Sequence, residues 1–507
     1  MTTARSRRGG GREGRHALRA AKPAVDPCPP GQIGGQYTPL TRDELNRIYT
    51  TALDVLATLG MGEVPDRLTA DLIRAGATLR DDGNRVLFPA PLVEAAIDGA
   101  AKTFVLHGRD PSRSIEVGGN RVHFGTGGAA VQTLDMQSGL YRPSTLRDLH
   151  DFTRLQDVLA NVSWFTRCCI ATDVPDNFDL DVNTAYALLR NTSKPVATAF
   201  TLAEHVGPIV DMLDIAAGGP GQFAERPWLK AHISPVISPL RYGEDAVEVV
   251  YACIQNNIPM SCITAAQAGA TAPATLAGFL VQSLAETLAS LVMVHAIRPG
   301  HPMIFSNWPF VIDLRTGAFS GGSGETAVLN AASAQISNWL GLPSGVAASM
   351  TDAKAIDAQY GMEKGQTSLA AALAGGNLIY ESSGMTASLL GASFEGFVLD
   401  DEMHAHNYRA LRGIEVTDET LGYDAIVEAV LGDGHFLGGQ HTYAAMERDY
   451  YYPKLADRDT PRAWADNGAE DAWTRARRRA EEILDTHRPD YLGAEADSAI
   501  KARFNIL

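Results

Sequence analysis

The sequence predicts an α/β protein of the (β/α)8 class, a TIM barrel with an N-terminal α+β extension and a C-terminal helical appendage. Two observations predict it. From Arg121 onward, eight short apolar runs alternate with long amphipathic segments, the strand-and-helix count of such a barrel. Within that array, Gly345 to Met385 reads strand, acidic loop, Ala/Leu-rich helix, strand, the unit of a parallel sheet. Ligands of such folds meet the carboxyl ends of the strands, so chemistry is expected at Thr351 to Gln359 and at Tyr380 to Ser383.

Taken in order, the first 22 residues, MTTARSRRGGGREGRHALRAAK, are rich in Arg and Gly and lack the apolar centre of a secretory signal. With the Pro/Gly linker that follows they form an expected basic, disordered tail over residues 1–40. Thr41-Arg-Asp-Glu44 has the spacing of a capping box and opens a helix over Asp43 to Leu59. A helix over Asp66 to Ala75, a strand RVLFP, a helix near Pro91 to Ala101 and a strand TFVLHG complete an α+β extension over residues 41–120.

The barrel is expected over residues 121–411. Its strand runs are Val122 to Thr126, Thr166 to Asp173, Lys194 to Thr201, Trp228 to Val236, Ile258 to Ala266, His301 to Trp308, Gly345 to Thr351 and Asn377 to Ser383. Helical patterns follow near Leu146, Phe178, Ala203, Glu244, Thr275, Glu325, Gly361 and Phe394. A doubly wound open sheet also alternates but seldom uses eight units. Residues 412–507 form the appendage, with helices around Asp424 to Leu431 and Ala469 to Thr486, expected to pack across the barrel.

Composition bounds the function. A hydrophobic content of 45% over 507 residues supports a sizeable core, and a formal charge of -16 argues against nucleic-acid binding. The five cysteines are an odd count with no CxxC, which reads as reduced structural thiols in a cytoplasmic protein. Leu276 to Ile297 is interrupted by Gln282, Glu286 and Thr287 and reads as a buried helix, so no membrane partner is expected. Apolar helices of this length favour a homo-oligomer.

Polar residues collect at the predicted strand ends, and so do aromatic ones. Aromatic faces beside a few carboxylates suit a quaternary ammonium group, which has no N–H to donate and is held by ring quadrupoles. By position and residue type, Trp164, Tyr242, Trp308, Phe310 and Tyr380 are candidates to surround such a cation. Asp135, Asp352 and Glu381 would add negative charge, and Asn307 and Gln359 would orient the ligand's polar end. Asp352, Glu381 and Tyr380 are the candidate catalytic residues. The Gly-rich segment Thr316 to Glu325 lacks the GK[ST] of a nucleotide loop and reads as a rim. His404, His406, His435 and His441 lack the partners of a metal site, so no metal is expected. Neither GxSxG nor HExxH occurs.

Several stretches together resemble one family over nearly the whole length. They are the Arg/Gly-rich start with GGQYTPL, Leu134-Asp135, SMTDAKAIDAQYGMEK, NLIY with Gly384-Met385, FVLDDE (Phe397 to Glu402), LRGIEV (Leu411 to Val416) and GHFLGGQHT (Gly434 to Thr442). They are similar to the trimethylamine methyltransferase family, in particular its members without pyrrolysine, which look like glycine betaine and related quaternary-amine:corrinoid methyltransferases. The resemblance implies a similar barrel and transfer of a methyl group from an amine to the Co(I) of a separate corrinoid protein. It implies no tightly bound cofactor, since the corrinoid (cobalamin) comes with the partner. Where many quaternary-amine members read His-Asp-Val-Gly-Tyr, this chain has Tyr380-Glu381-Ser382-Ser383-Gly384, which leaves the amine open. The rival readings are a non-catalytic betaine-binding barrel, a methyltransferase for a different methylated amine, and a metal-dependent enzyme on the same scaffold.

Overall fold

Each apolar run becomes one strand of a single parallel sheet. In the computed structural model, which describes residues 26–507, the strands are β1 (His123–Phe124), β2 (Phe165–Thr166), β3 (Val196–Thr198), β4 (Leu229–Ile233), β5 (Met260–Thr264), β6 (Met303–Asn307), β7 (Ser344–Ala347) and β8 (Leu378–Tyr380). They are followed in turn by α1 (Leu146–Val158), α2 (Asn177–Asn191), α3 (Val206–Ala217), α4 (Glu244–Gln255), α5 (Leu276–Ile297), α6 (Gly324–Trp339), α7 (Ala358–Leu373) and α8 (Phe394–Arg412). The basic tail expected over the first 22 residues lies outside the described residues.

Strand order runs β1-β8-β7-β6-β5-β4-β3-β2, and a parallel bridge between Gly125 and Trp164 joins the two ends. The sheet is therefore closed. Around this seam, Ser163 N donates to Phe124 O at 2.8 Å and Thr166 N to Thr126 Oγ1 at 2.8 Å.

Strand alternation sorts side chains into two cores. In β8, Leu378 and Tyr380 join an interior cluster with Trp164, Ile263, Ile304 and Trp308, while Ile379 packs outward with Phe124 and Tyr408. Leu106, Ile115 and Val117 belong to the interior cluster too. They come from an antiparallel hairpin, Thr103–Leu106 with Ile115–Gly118, which plugs the amino-terminal end of the bore. Free space is left at the carboxyl-terminal end.

The extension is tied to the barrel. Its first helix, Arg42–Thr58, opens with the capping box read from the sequence: Glu44 N donates to Thr41 Oγ1, and Thr41 N donates back to Glu44. Its buried face (Leu45, Ile48, Ala52, Leu56) packs on α5. Met61–Gly62, Thr78–Leu79 and Arg85–Leu87 share a five-stranded sheet with Val236–Ile237 and Arg241–Tyr242, which belong to the loop after β4. By length and composition α5 could cross a membrane, but in this fold it is mostly buried. All five cysteines are buried and unpaired.

The appendage lies along the helical flank. Helix Ala472–Thr486 buries Ala476, Ala480 and Ile483 against α8 and α1, and helix Ala494–Arg503 packs on α3.

Gly125 is where the seam and the bore meet. A Cβ there would lie 2.2 Å from the Trp164 ring, a distance no side chain tolerates. Gly125→Ala should therefore displace Trp164 and destabilise the chain by about 1–3 kcal/mol, as overpacking does, read as a lowered urea midpoint. An unchanged midpoint would show that the ring is not held there.

Candidate active site

At the open end of the barrel lies a cavity of about 290 Å³, walled by Gly128 and Ala129 after β1, Thr166 and Arg167 at β2, His232 and Ser234 at β4, Ile263 and Ala265 at β5, Trp308 and Phe310 after β6, Glu381 after β8, and Leu389. Aromatic rings build one side and the floor. Trp308 lies 4.8 Å from Tyr380, 5.2 Å from His232 and 6.4 Å from Phe310, centroid to centroid. Beneath it, Tyr380 meets Trp164 edge-on at 4.5 Å.

The floor rests on a buried polar cluster. Lys230 Nζ donates to Tyr380 OH at 2.8 Å and to Ser261 Oγ at 3.1 Å, and the Tyr380 hydroxyl also hydrogen-bonds Ser261. The ammonium sits 4.8 Å over the Tyr380 ring and 5.1 Å over Trp164, a cation–π arrangement. Burial pushes Lys230 down to about 7. Burial together with the charges of Lys230 and Arg167 holds His232 well below its usual range, so its imidazole is neutral.

Glu381 stands out chemically. It is fully buried, and neither carboxylate oxygen has a hydrogen-bond partner. Its backbone adopts φ +60°, a left-handed conformation that a glutamate takes only when its neighbours impose it. Those neighbours are identifiable. Ser382 Oγ donates to Gly125 O at 2.6 Å and accepts from Gly125 N at 3.1 Å. Two residues on, Gly384 N donates to Asp400 Oδ2 at 2.7 Å. Asp400 is itself held by Tyr360 OH at 2.8 Å and by Lys364 at 3.1 Å.

Opposite the carboxylate, Gly127 and Gly128 make room. A Cβ on them would approach its oxygens to 2.9 and 2.7 Å respectively. Burial raises the Glu381 carboxyl to about 8, opposed by the charge of Lys364. A buried carboxylate without a partner is energetically costly. A cation entering the cavity would relieve it.

Of the residues proposed from sequence, the structure gathers five here: Trp308, Phe310 and Glu381 in the wall, Tyr380 and Trp164 in the floor. The other five lie elsewhere, for particular reasons. Asp135 closes the turn between Gln132–Leu134 and Tyr141–Pro143, accepting from Ser138 N at 2.9 Å and pairing with Arg142 at 3.3 Å. Tyr242 lies in the extension's sheet and donates to Ala289 O of α5 at 2.9 Å. Asn307 has the outward parity of β6 and donates to Ser283 Oγ of α5 at 3.1 Å. Gln359 sits on the exposed face of α7 and donates to Glu363 at 2.8 Å. Asp352 is spent on the rim: it accepts from Gly321 N at 3.1 Å, Gly322 N at 3.3 Å and Ser388 Oγ at 2.8 Å. It thereby ties the Gly-rich segment to the loop after β8.

Sequence reasoning passed over Arg167, Lys230 and His232. A signal existed for the last two, polar residues two apart within an apolar strand run, so that both share the inward parity. His404 stacks on Phe124 at 4.1 Å and His406 meets Tyr451 edge-on at 5.0 Å. Among the described residues no group of three or more His, Cys, Asp or Glu side chains is arranged to hold a metal.

Residues 7–505 match the family described as trimethylamine methyltransferase. A trimethylamine methyltransferase of Desulfitobacterium hafniense (strain DSM 10664 / DCB-2) is 32% identical over 461 residues, covering 91% of this chain and 92% of its own. The glycine betaine methyltransferase of Desulfitobacterium hafniense (strain Y51) is 29% identical over 475 residues, covering 93% and 97%. A trimethylamine methyltransferase of Methanosarcina barkeri is 30% identical over 467 residues, covering 91% and 93%.

The state of Glu381 has a thermodynamic signature. Its folded-state pKa lies above its unfolded one, so between roughly pH 4.5 and 8 the native form keeps a proton that the unfolded chain has lost. The residue therefore makes native stability fall as pH rises through that window. Glu381→Gln should match the wild type in Tm at pH 5 and exceed it by several degrees at pH 9, measured by calorimetry of the ligand-free protein. An equal difference at both pH values would contradict the burial argument.

Proposed function

The chain belongs to the trimethylamine methyltransferase family, and from that premise we propose that it moves a methyl group from a quaternary amine, glycine betaine or a relative, to the corrinoid of a separate partner protein. The observation that carries this reading is the unpartnered Glu381 carboxylate facing Trp308 and Phe310 across one cavity. A quaternary ammonium needs a negative charge and ring faces and offers no N–H, and this wall makes no demand for one. The relative named for glycine betaine, covered over almost its full length, adds support.

The site's work follows from the chemistry. The nitrogen of a quaternary amine is positive before transfer and neutral afterwards, so the departing amine needs no proton from a general acid. The partner's corrinoid supplies the reduced cobalt that receives the methyl. Glu381 and the rings hold the cation, with Tyr380 and Trp164 fixing the floor so that one methyl faces the mouth. Such orientation turns a two-body encounter into a reaction of held partners. The cavity of about 290 Å³ suits a small amine and is too small for a corrin ring, so the ring would be presented at the rim that Asp352 organises.

On this reading Glu381, Trp308 and Phe310 touch the amine, while Tyr380 and Trp164, which lie beneath the cavity lining, are positioning residues. The acidic charge and the buried thiols support a cytoplasmic enzyme with neither nucleic acid nor membrane as partner. The appendage carries exposed Ile414, Leu431 and Leu437, in keeping with a homo-oligomer.

Mixing the protein with a reduced free corrinoid and, in turn, glycine betaine, proline betaine, carnitine, choline and trimethylamine should produce the methylcobalt spectrum with a quaternary amine and not with trimethylamine. Binding of a quaternary amine without any transfer, even with the native corrinoid protein, would favour the non-catalytic barrel. Because such a ligand carries no titrating proton, the part of its pH dependence that Glu381→Gln abolishes reports Glu381, and the part that remains reports Lys230 beneath the rings. Affinity should weaken about tenfold from pH 9 to pH 7 as the carboxylate is protonated, and isothermal titration showing a flat profile would remove Glu381 from the cation site.

A further inference from the structure

Building on that reading of the site, we infer that Arg167 anchors a carboxylate, so that the substrate is a zwitterion with its ammonium at Glu381 and its carboxylate at Arg167. Arg167 follows β2 directly and lines the same cavity. It is half-buried, yet among the described residues its guanidinium makes neither an ion pair nor a side-chain hydrogen bond. Asp181, whose charge it feels, is already committed. It accepts from Thr201 N at 2.6 Å, Thr201 Oγ1 at 2.8 Å and His205 Nδ1 at 2.8 Å.

Above about pH 8, where Glu381 is ionised, the cavity therefore holds two opposite charges, neither with a hydrogen-bonded partner and not paired with one another. Desolvated charges left this way are unfavourable. A ligand with only a cationic end would satisfy Glu381 and leave Arg167 as it is. A ligand with both ends would satisfy the two together. The wall next to Arg167 carries no negative charge to repel an anion: it is formed by the neutral imidazole of His232 and the hydroxyl-bearing Ser234. The planar fork of a guanidinium also matches a carboxylate in two parallel hydrogen bonds.

Isothermal titration at pH 9, where Glu381 is ionised, on the full chain without its partner tests this with three kinds of probe. Glycine betaine, proline betaine and carnitine carry both charges, tetramethylammonium only the cation, and 3,3-dimethylbutanoate has the shape of glycine betaine with carbon in place of nitrogen. The best of the three zwitterions should bind the wild type about tenfold to a hundredfold more tightly than tetramethylammonium, the range of a charge-assisted hydrogen-bond pair. Arg167→Gln should erase that advantage and leave tetramethylammonium binding within about twofold, which also shows that the site is still folded. Arg167→Lys should restore part of it. Glu381→Gln should weaken the zwitterion and tetramethylammonium alike and spare 3,3-dimethylbutanoate. If Arg167→Gln binds the zwitterion as well as the wild type does, or the wild type shows no preference for it over tetramethylammonium, Arg167 is not an anchor while the amine site stands. If no quaternary ammonium binds the wild type, the amine reading falls and this inference with it.

Discussion

A closed parallel barrel must fill its own bore, and the way this one does so decides the rest. The hairpin beneath seals the amino-terminal end with Leu106, Ile115 and Val117. Above it, Trp164 and Tyr380 occupy the middle, supported by the ammonium of Lys230. Small residues elsewhere make this possible, Gly125 against Trp164 and Gly345 beside Tyr380 and Ser306. Among the described residues, room is left in the bore at the carboxyl-terminal mouth. Its floor is aromatic because the filling is aromatic, so packing and cation recognition are served by the same rings.

Onto that floor the chain places polar groups it leaves without partners. Glu381 has no hydrogen-bond partner and a left-handed backbone. Both features oppose folding locally, and both are sustained by rigid surroundings: the Ser382–Gly125 pair and the Asp400–Lys364–Tyr360 group. Within that group every charge is matched, whereas the Glu381 carboxyl in the cavity wall has no hydrogen-bond partner. This contrast separates support from site, since local rules are broken where a ligand is to be held and kept where the holding is done.

Much of this was legible in the sequence. The alternation from Arg121 to Leu411 gave all eight strands and the helices between them, because apolar periodicity is set by burial and burial is what the fold enforces. Trp308, Phe310, Tyr380 and Glu381 are gathered at one end of the bore because they stand at strand ends. The candidates that lie elsewhere do so for a shared reason. Strand-end position says that a residue is near the mouth but not which way it points, and parity decides that: Ser306 and Trp308 face the bore, Asn307 faces α5. Asp135 and Asp352 satisfy backbone N–H groups of turns and rim loops, a use of aspartate as common as catalysis. Lys230 and His232 hid in an apolar run, where a polar side chain shows its purpose only once the opposite wall is known.

The seam of the barrel also bears on how the chain is made. Gly125 is bonded to Ser382, 257 residues away in sequence, and β1 pairs with β8. On a ribosome the first strand emerges long before its eventual neighbour. Until the last βα unit is synthesised, the early half presents an unfinished sheet edge and an open apolar interior, the surfaces on which nascent chains associate wrongly. Ring closure of this kind makes assembly slow and late, and it makes the mouth, with Glu381 at its edge, among the final parts of the molecule to take shape.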